Sequence, residues 1–396
     1  MEFLRIEHAM TASTDGKGRD PALPLDPSSR VSSIDALRGI ALFGVLAINL
    51  ETEFRISIFQ QFLPHASDQG LGRLIDGALD IFIDMKAFAL FSLLFGVGLA
   101  IQFERLGRTE RRTSLLVRRL LVLLAFGLIH LFLIWNGDIL TEYALAGLVV
   151  LPFLFGPTWL MGSGCATFLA LFLLQPLLPT LFPLPGHAWL AEHVKDANQV
   201  YANGTFPEIL QFRIREVAAF LPLHSYVFPR TLGLFLLGAL SWRMGLFDRS
   251  SRMTRWLWPA AAFLIGGGLI LTVALSAHRY GGPAGTILLA LGYAALVVAI
   301  EATTTVRRWL RWAEPLGRMA FTNYIMQSII LGLVFYGYGL GLFSKLDPVA
   351  GLAIVLTVYV AQVMFSRLWL DRFHYGPIEW LWRALMYGRA PPFRKA

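Results

Sequence analysis

Apolar residues along this chain fall in long unbroken runs rather than in the short alternating stripes of a soluble fold. Runs of mostly apolar residues lie at 33–53, 79–103, 115–135, 138–155, 158–182, 227–247, 256–277, 283–303, 316–343 and 348–370. An α-helix needs about 20 such residues to cross a bilayer. The pattern therefore predicts an all-α, polytopic integral membrane protein of about ten transmembrane helices. Only Trp135-Asn136-Gly137 separates the third run from the fourth, which predicts a tight helical hairpin. The ninth run is long and glycine-rich, so it can tilt or break. Two further stretches have helical spacing but more charge. Residues 208–221 place Leu210, Ile214, Val217 and Leu221 at that spacing, with Arg213, Arg215 and Glu216 between them. Residues 377–388 place Ile378, Leu381, Trp382 and Leu385 on one face. Both read as amphipathic helices lying on the membrane.

Composition agrees with this pattern. Hydrophobic residues make up 56% of the 396, charged residues only 15%, and the mean hydropathy is +0.59. The formal net charge is +8. In a soluble protein that balance would suggest nucleic acid, but no compact polar surface remains here to carry such a partner. With the N-terminus placed inside, most of the 34 Lys and Arg residues fall on the inner side. They cluster before Gly39, between Arg105 and Arg119, between Arg243 and Arg255, between Arg307 and Arg318, and after Arg367. This asymmetry predicts two cytoplasmic termini, and a hairpin at Trp135 that faces outward. The expected organisation is a disordered cytoplasmic tail over 1–30, a multi-helix domain over 31–371, and an interfacial C-terminal segment over 372–396. The single cysteine, Cys165, excludes an intrachain disulfide and a thiolate metal site, and no metal is expected. Membrane lipids are the expected surroundings, and association with a second copy is left open.

Ionisable groups inside a span need a partner or a task. Asp35 and Arg38 lie three apart at the start of the first span, which suits an ion pair, a gate or an anion contact. Asn49 sits near its outer end between apolar neighbours. Lys86 has no opposite charge three or four residues away, so a partner from another helix is expected. His130 lies just below the hairpin tip, and Asp138 and Glu142 follow on the returning helix. A hairpin can bring a carboxylate to that imidazole, hold its tautomer and raise its basicity. Asn323 and Gln327 share a face of the ninth span, which suits hydrogen bonds to a neighbouring helix, and Glu379 and Arg383 are spaced for a pair on the last helix. No phosphate-binding glycine loop, HExxH pair or GxSxG elbow occurs.

Five stretches carry a resemblance: SIDALRGIALFGVLAIN, MKAFALFSLLFGVGLA, GLIHLFLIWNGDIL, GRMAFTNYIMQS and GPIEWLWRALMYG. They resemble the YeiB-type family of bacterial inner-membrane proteins, which carries a domain of unknown function. Residues 33–49 also resemble the first span of heparan-α-glucosaminide N-acetyltransferase, in a broader set of transmembrane acyltransferases. That resemblance implies a bacterial inner-membrane location and an acyltransferase. An acyl group from a cytoplasmic acyl-CoA donor would reach an envelope glycan, lipid or small-molecule acceptor outside. Asn49 matches the enzyme's first-span Asn, and His65 is placed to match its loop His. The implied roles are a general base at His130 or His65, Asp138 orienting His130, and oxyanion contacts from Asn49 and Lys86. Arg38, Trp135, Glu142, Asn323 and Gln327 complete the candidate substrate contacts. The alternative is a transporter or flippase of a small metabolite or lipid precursor, in which the same polar residues line a pathway.

Overall fold

The computed structural model describes residues 31–63, 70–107, 109–177, 185–247, 255–274, 281–303 and 307–395. The tail over 1–30 and His65 lie outside them. The described residues form α-helices and no β-strand, with one isolated bridge between Phe373 and Arg394. Seven helical segments are long and apolar enough to cross a membrane, and Leu140–Phe155 and Ala320–Phe335 are shorter apolar helices. The chain is an all-α polytopic membrane protein.

The first transmembrane helix, α1 (Ser32–Asn49), ends in a π-turn over Leu50–Phe54. The expected second span is two helices, α2 (Leu71–Phe82) and α3 (Lys86–Arg105). Met85 between them takes a left-handed conformation with φ of 57°. The break corrects the expectation for Lys86, whose ammonium donates to the Asp80 carbonyl at 2.5 Å. A straight helix would hold that carbonyl out of reach. The hairpin is α4 (Arg112–Ile129), a second π-turn (His130–Ile134) and α5 (Leu140–Phe155). Then follow α6 (Thr158–Leu174), α7 (His187–Asn203) and α8 (Phe206–Arg243).

Helix α8 corrects a second expectation. Residues 208–221 do not form a separate helix on the membrane; they continue without a break into the following span. Arg213 and Glu216 are buried, not solvated, while Arg215 stays exposed. The Glu216 carboxylate accepts hydrogen bonds from Asn136, His193 and Tyr201 at 2.5–2.6 Å. Arg213 donates to the Ile134 carbonyl at the end of the hairpin's π-turn. Partners on the hairpin and on α7 thus satisfy charges that would otherwise have to face water. Deeper in, α8 crosses α3 closely enough that a Cβ at Gly96 would collide with the Phe235 backbone, and one at Gly238 with the Leu93 carbonyl. Small residues allow helix backbones to pack this tightly in a membrane.

The remaining helices are α9 (Leu257–Ala274), α10 (Gly281–Ala302), α11 (Glu314–Arg318), α12 (Ala320–Phe335), α13 (Pro348–Arg372) and α14 (Pro377–Tyr387). The ninth expected span is shorter than its apolar run. It breaks at Met319 and stops at Phe335, and turns with positive φ at Gly341 and Ser344 follow. The C-terminal helix α14 folds back beneath α4 and α12, with the Trp382 indole donating to the Arg119 carbonyl at 3.0 Å. Val31, Arg105, Trp242 and Tyr387 all line one cavity. The start of α1, the ends of α3 and α8 and the C-terminal helix thus meet at one arginine-rich end of the bundle. The hairpin tip lies at the other.

Candidate functional site

The hairpin places its histidine through backbone geometry. The Trp135 N–H closes the π-turn on the His130 carbonyl at 2.7 Å. The extra residue in such a turn resets the direction of the side chains that follow. His130 is fully buried. Its Nδ1 lies 2.9 Å from Asp138 Oδ1, and its Nε2 lies 2.9 Å from Ser328 Oγ on α12. The Asp138 carboxylate also accepts from the Leu140 and Thr141 amides at 3.1 and 2.7 Å, which caps α5. In the tautomer with the proton on Nδ1, the ring donates to Asp138 and Nε2 accepts from the Ser328 hydroxyl.

Ser328, His130 and Asp138 thus stand in the order of a nucleophilic triad. Such a triad needs room for a reacting atom about 3 Å from its nucleophile. All three are buried, and none of them lines the cavities described below. Tyr324 separates them from the nearest one: its ring lies 5.1 Å from His130, and it lines the neck described below. Trp135 closes the other side, stacked on Phe54 at 4.8 Å.

A cavity of about 670 Å³ opens at the hairpin end of the bundle. Its polar lining includes Glu53, Asp84, Glu142, His224, Arg230 and Thr231. Here a second histidine meets a second carboxylate. His224 Nδ1 lies 3.1 Å from Glu142 Oε2, and the Thr231 hydroxyl donates to Glu142 Oε1 at 2.5 Å. His224 and Thr231 are seven apart on α8, hence on one face, and both reach the first turn of α5. The His224 side chain is 34% exposed, and its Nε2 has no hydrogen-bond partner among the described residues. That nitrogen is free to take a proton. Arg230 is 3% exposed, and its Nε and Nη1 carry no hydrogen bond.

Two cavities occupy the arginine-rich end. The larger, of about 440 Å³, is a vestibule where Arg38, Arg105, Arg119, Arg318 and Arg383 face Asp35, Glu104 and Glu379. The smaller, of about 190 Å³, is an apolar neck walled by Val45, Phe91, Leu94, Phe95 and Leu123. Neck and vestibule share Arg38, Arg119 and Arg318. Neck and outer cavity share Ile139 and Tyr143. The Tyr143 hydroxyl is held at that junction by the Phe88 carbonyl and Ser92 Oγ, each at 3.0 Å. Glu379 does not make the expected pair with Arg383. It caps α12, accepting from the Phe321 and Thr322 amides at 2.8 and 3.0 Å and from the Thr322 hydroxyl at 2.5 Å. Burial pushes its carboxyl above the ordinary carboxylate range, against the hydrogen bonds from Thr322 and Phe321 that lower it.

The sequence candidates therefore divide. Glu142 lines the outer cavity, and Arg38 lines neck and vestibule, 3.5 Å from Asp35. His130, Asp138 and Trp135 form the packed hairpin core. Asn323 and Gln327 face α13 rather than a cavity: Asn323 donates to Ser366 Oγ at 2.9 Å, and Gln327 donates to Gln362 Oε1 at 2.8 Å. Asn49 is buried with its Oδ1 unbonded, and neither it nor Lys86 lines these cavities. His224 falls just before the apolar run over 227–247, whereas Arg230 and Thr231 lie inside it, where an arginine already calls for a partner or a task. The heptad spacing of His224 and Thr231 was the available signal.

The family model described as "Protein of unknown function (DUF418)" matches residues 241–389. An uncharacterised protein of Bacillus subtilis, YxaH, is 33% identical over 94% of this chain and 98% of its own length. The uncharacterised YeiB of Escherichia coli is 29% identical over 91% of this chain and 97% of its own. An uncharacterised 39.9 kDa protein of Bacillus acidopullulyticus, from the amylase 3′ region, is 29% identical over 93% and 97%. No solved structure matches the chain.

Proposed function

The chain belongs to the YeiB-type family, and from that premise we propose that it is a transmembrane acyltransferase of the bacterial inner membrane. A thioester donor of the acyl-CoA class enters at the arginine-rich end, which the positive-inside bias assigns to the cytoplasm. The acceptor occupies the cavity at the opposite end. One observation carries the reading: vestibule, neck and outer cavity share wall residues in sequence, from Arg119 to Ile139 and Tyr143 to Glu142.

The vestibule arginines suit the donor's phosphates. Arginine holds phosphate through paired, charge-assisted hydrogen bonds. Arg119 fits this role, since its Nε carries no hydrogen bond and its guanidinium lies 3.9 Å from the Trp382 ring centre. The apolar neck suits the donor's flexible arm, which would bring the thioester carbonyl to the Ile139–Tyr143 junction. On the far side, His224 Nε2 takes the proton from the acceptor's hydroxyl or amine, while Glu142 holds the Nδ1–H. The acceptor oxygen or nitrogen bonds to the acyl carbon, the C–S bond breaks, and the departing thiolate takes up a proton. Products are the acylated acceptor and the free thiol. The geometry thus favours His224 over His130 as the base and makes His130 a positioning residue that fixes the hairpin carrying Ile139 and Glu142.

The test uses purified protein in liposomes with labelled acetyl-CoA. Saturable binding and a labelled product are expected from the wild type. Arg119→Ala should weaken donor binding about tenfold, the usual loss for one charge-assisted contact. A wild type that neither binds the thioester nor labels any acceptor overturns the reading. Label that crosses the bilayer unmodified makes the protein a transporter instead.

A further inference from the structure

The acyl-transfer reading leaves one group in the outer cavity without a task. Arg230 is 3% exposed, yet it lines this cavity, and its Nε and Nη1 have no hydrogen-bond partner. A guanidinium has five N–H donors and does not lose its proton in a protein. Buried and unsatisfied, it is costly unless something supplies acceptors.

Its surroundings do not supply them. The charged groups that face it are Glu142 from α5 and Asp84 from the break before α3. Neither forms an ion pair with it within 4.0 Å. The Glu142 oxygens are engaged by His224 and Thr231. Asp84 lies beside Lys86, which bonds to the Asp80 carbonyl. Phe172 offers its ring, with the guanidinium carbon 5.8 Å from its centre, but a ring accepts no fork of hydrogen bonds. Arg230 and His224 both lie on α8 and line the same cavity, so a group held by Arg230 shares that space with the free imidazole nitrogen. Phe62, Met85, Phe88, Phe220, Leu223 and Val227 supply aromatic and aliphatic wall, beside the polar Thr52, Glu53, Gln61 and Gln175.

We propose that Arg230 is the head-group anchor of a binding site for an anionic amphiphile, a phosphate or carboxylate on an aliphatic chain, in the outer cavity. The anion fills the unpaired donors as a bidentate partner, and the chain lies along the aromatic and aliphatic walls. The site stands as a binding site without any thioester. It rests on the acyl-transfer reading only for the further step that this amphiphile is the acceptor.

The experiment separates the two. Protein in phosphatidylcholine nanodiscs, with no acyl donor present, is titrated with octyl phosphate, octanoate and octylammonium. Binding is read from tryptophan fluorescence. In parallel, Arg230 in the wild type is treated with phenylglyoxal, and modification is measured by mass spectrometry. Octyl phosphate or octanoate should bind saturably and shield Arg230, and octylammonium should do neither. The anion that shields better identifies the head group. Arg230→Gln should weaken anion binding about tenfold or more, and Arg230→Lys should recover part of it. Equal binding of the anions to Arg230→Gln, shielding by octylammonium as strong as by the anions, or no shielding by either anion overturns the proposal. The shielding arm needs no variant, so a poorly folding Arg230→Gln does not rescue it. Loss of acetyl transfer with shielding intact counts against the enzyme reading alone. Transfer without shielding counts against this site alone.

Discussion

His224→Ala is expected to lower acyl transfer about 10²- to 10⁴-fold, the usual contribution of a positioned general base, while acetyl-CoA binds as before. The base must reach an acceptor, and His224 Nε2 is an unbonded imidazole nitrogen in the wall of the outer cavity. Its Nδ1 rests on Glu142, which Thr231 in turn holds at 2.5 Å. Glu142→Gln should slow transfer less than His224→Ala, because the amide keeps an oxygen for Nδ1–H but loses the charge that supports the imidazolium. The pH–rate profile supplies a readout that a purely structural role would not move. The wild type should show a rise governed by the imidazole, and His224→Ala should lose it. An unchanged rate and profile in His224→Ala would remove His224 from the reaction.

The second large effect concerns stability. His130→Ala is expected to destabilise the protein by about 2–4 kcal/mol, because it leaves a buried carboxylate and a buried hydroxyl without their shared partner. His130 is fully buried between Asp138 and Ser328, with both ring nitrogens bonded at 2.9 Å. Ser328→Ala should cost less, about 1 kcal/mol, since its contacts to His130 Nε2 and, at 3.4 Å, to the Tyr324 carbonyl involve only a neutral hydroxyl. Thermal unfolding in detergent, followed by tryptophan fluorescence, measures both. A His130→Ala variant that unfolds like the wild type but transfers nothing would make this imidazole the reacting base, with Tyr324 moving aside to admit substrate.

The two histidines differ in how far the sequence reveals them. Proximity of His130 to Asp138 follows from a three-residue hairpin, so the pair is legible in the order of residues alone. That it faces α12 and not a cavity depends on the π-turn at His130–Ile134, which no composition signals. His224 and Glu142 are 82 residues apart and meet only because α8 is continuous. The charges in 208–221 argued against continuity, since Arg213 and Glu216 look solvated when read alone. Asn323 and Gln327 were readable as interhelical hydrogen bonders, and the structure supplies Ser366 and Gln362 on α13 as their partners.

By itself, the sequence determined that this is a helical membrane protein with clustered arginines and a tight hairpin at Trp135. Those properties are local. A backbone in hydrocarbon must satisfy its hydrogen bonds within the segment, so a run of about 20 apolar residues decides the element. Arginines at its ends bias its orientation. Tertiary structure alone decided which polar groups are packed and which face open space. That outcome depends on the rotation of each helix about its axis and on what its neighbours offer. Asp80's carbonyl takes Lys86, the hairpin and α7 take Arg213 and Glu216, and nothing among the described residues bonds His224 Nε2 or Arg230 Nε and Nη1.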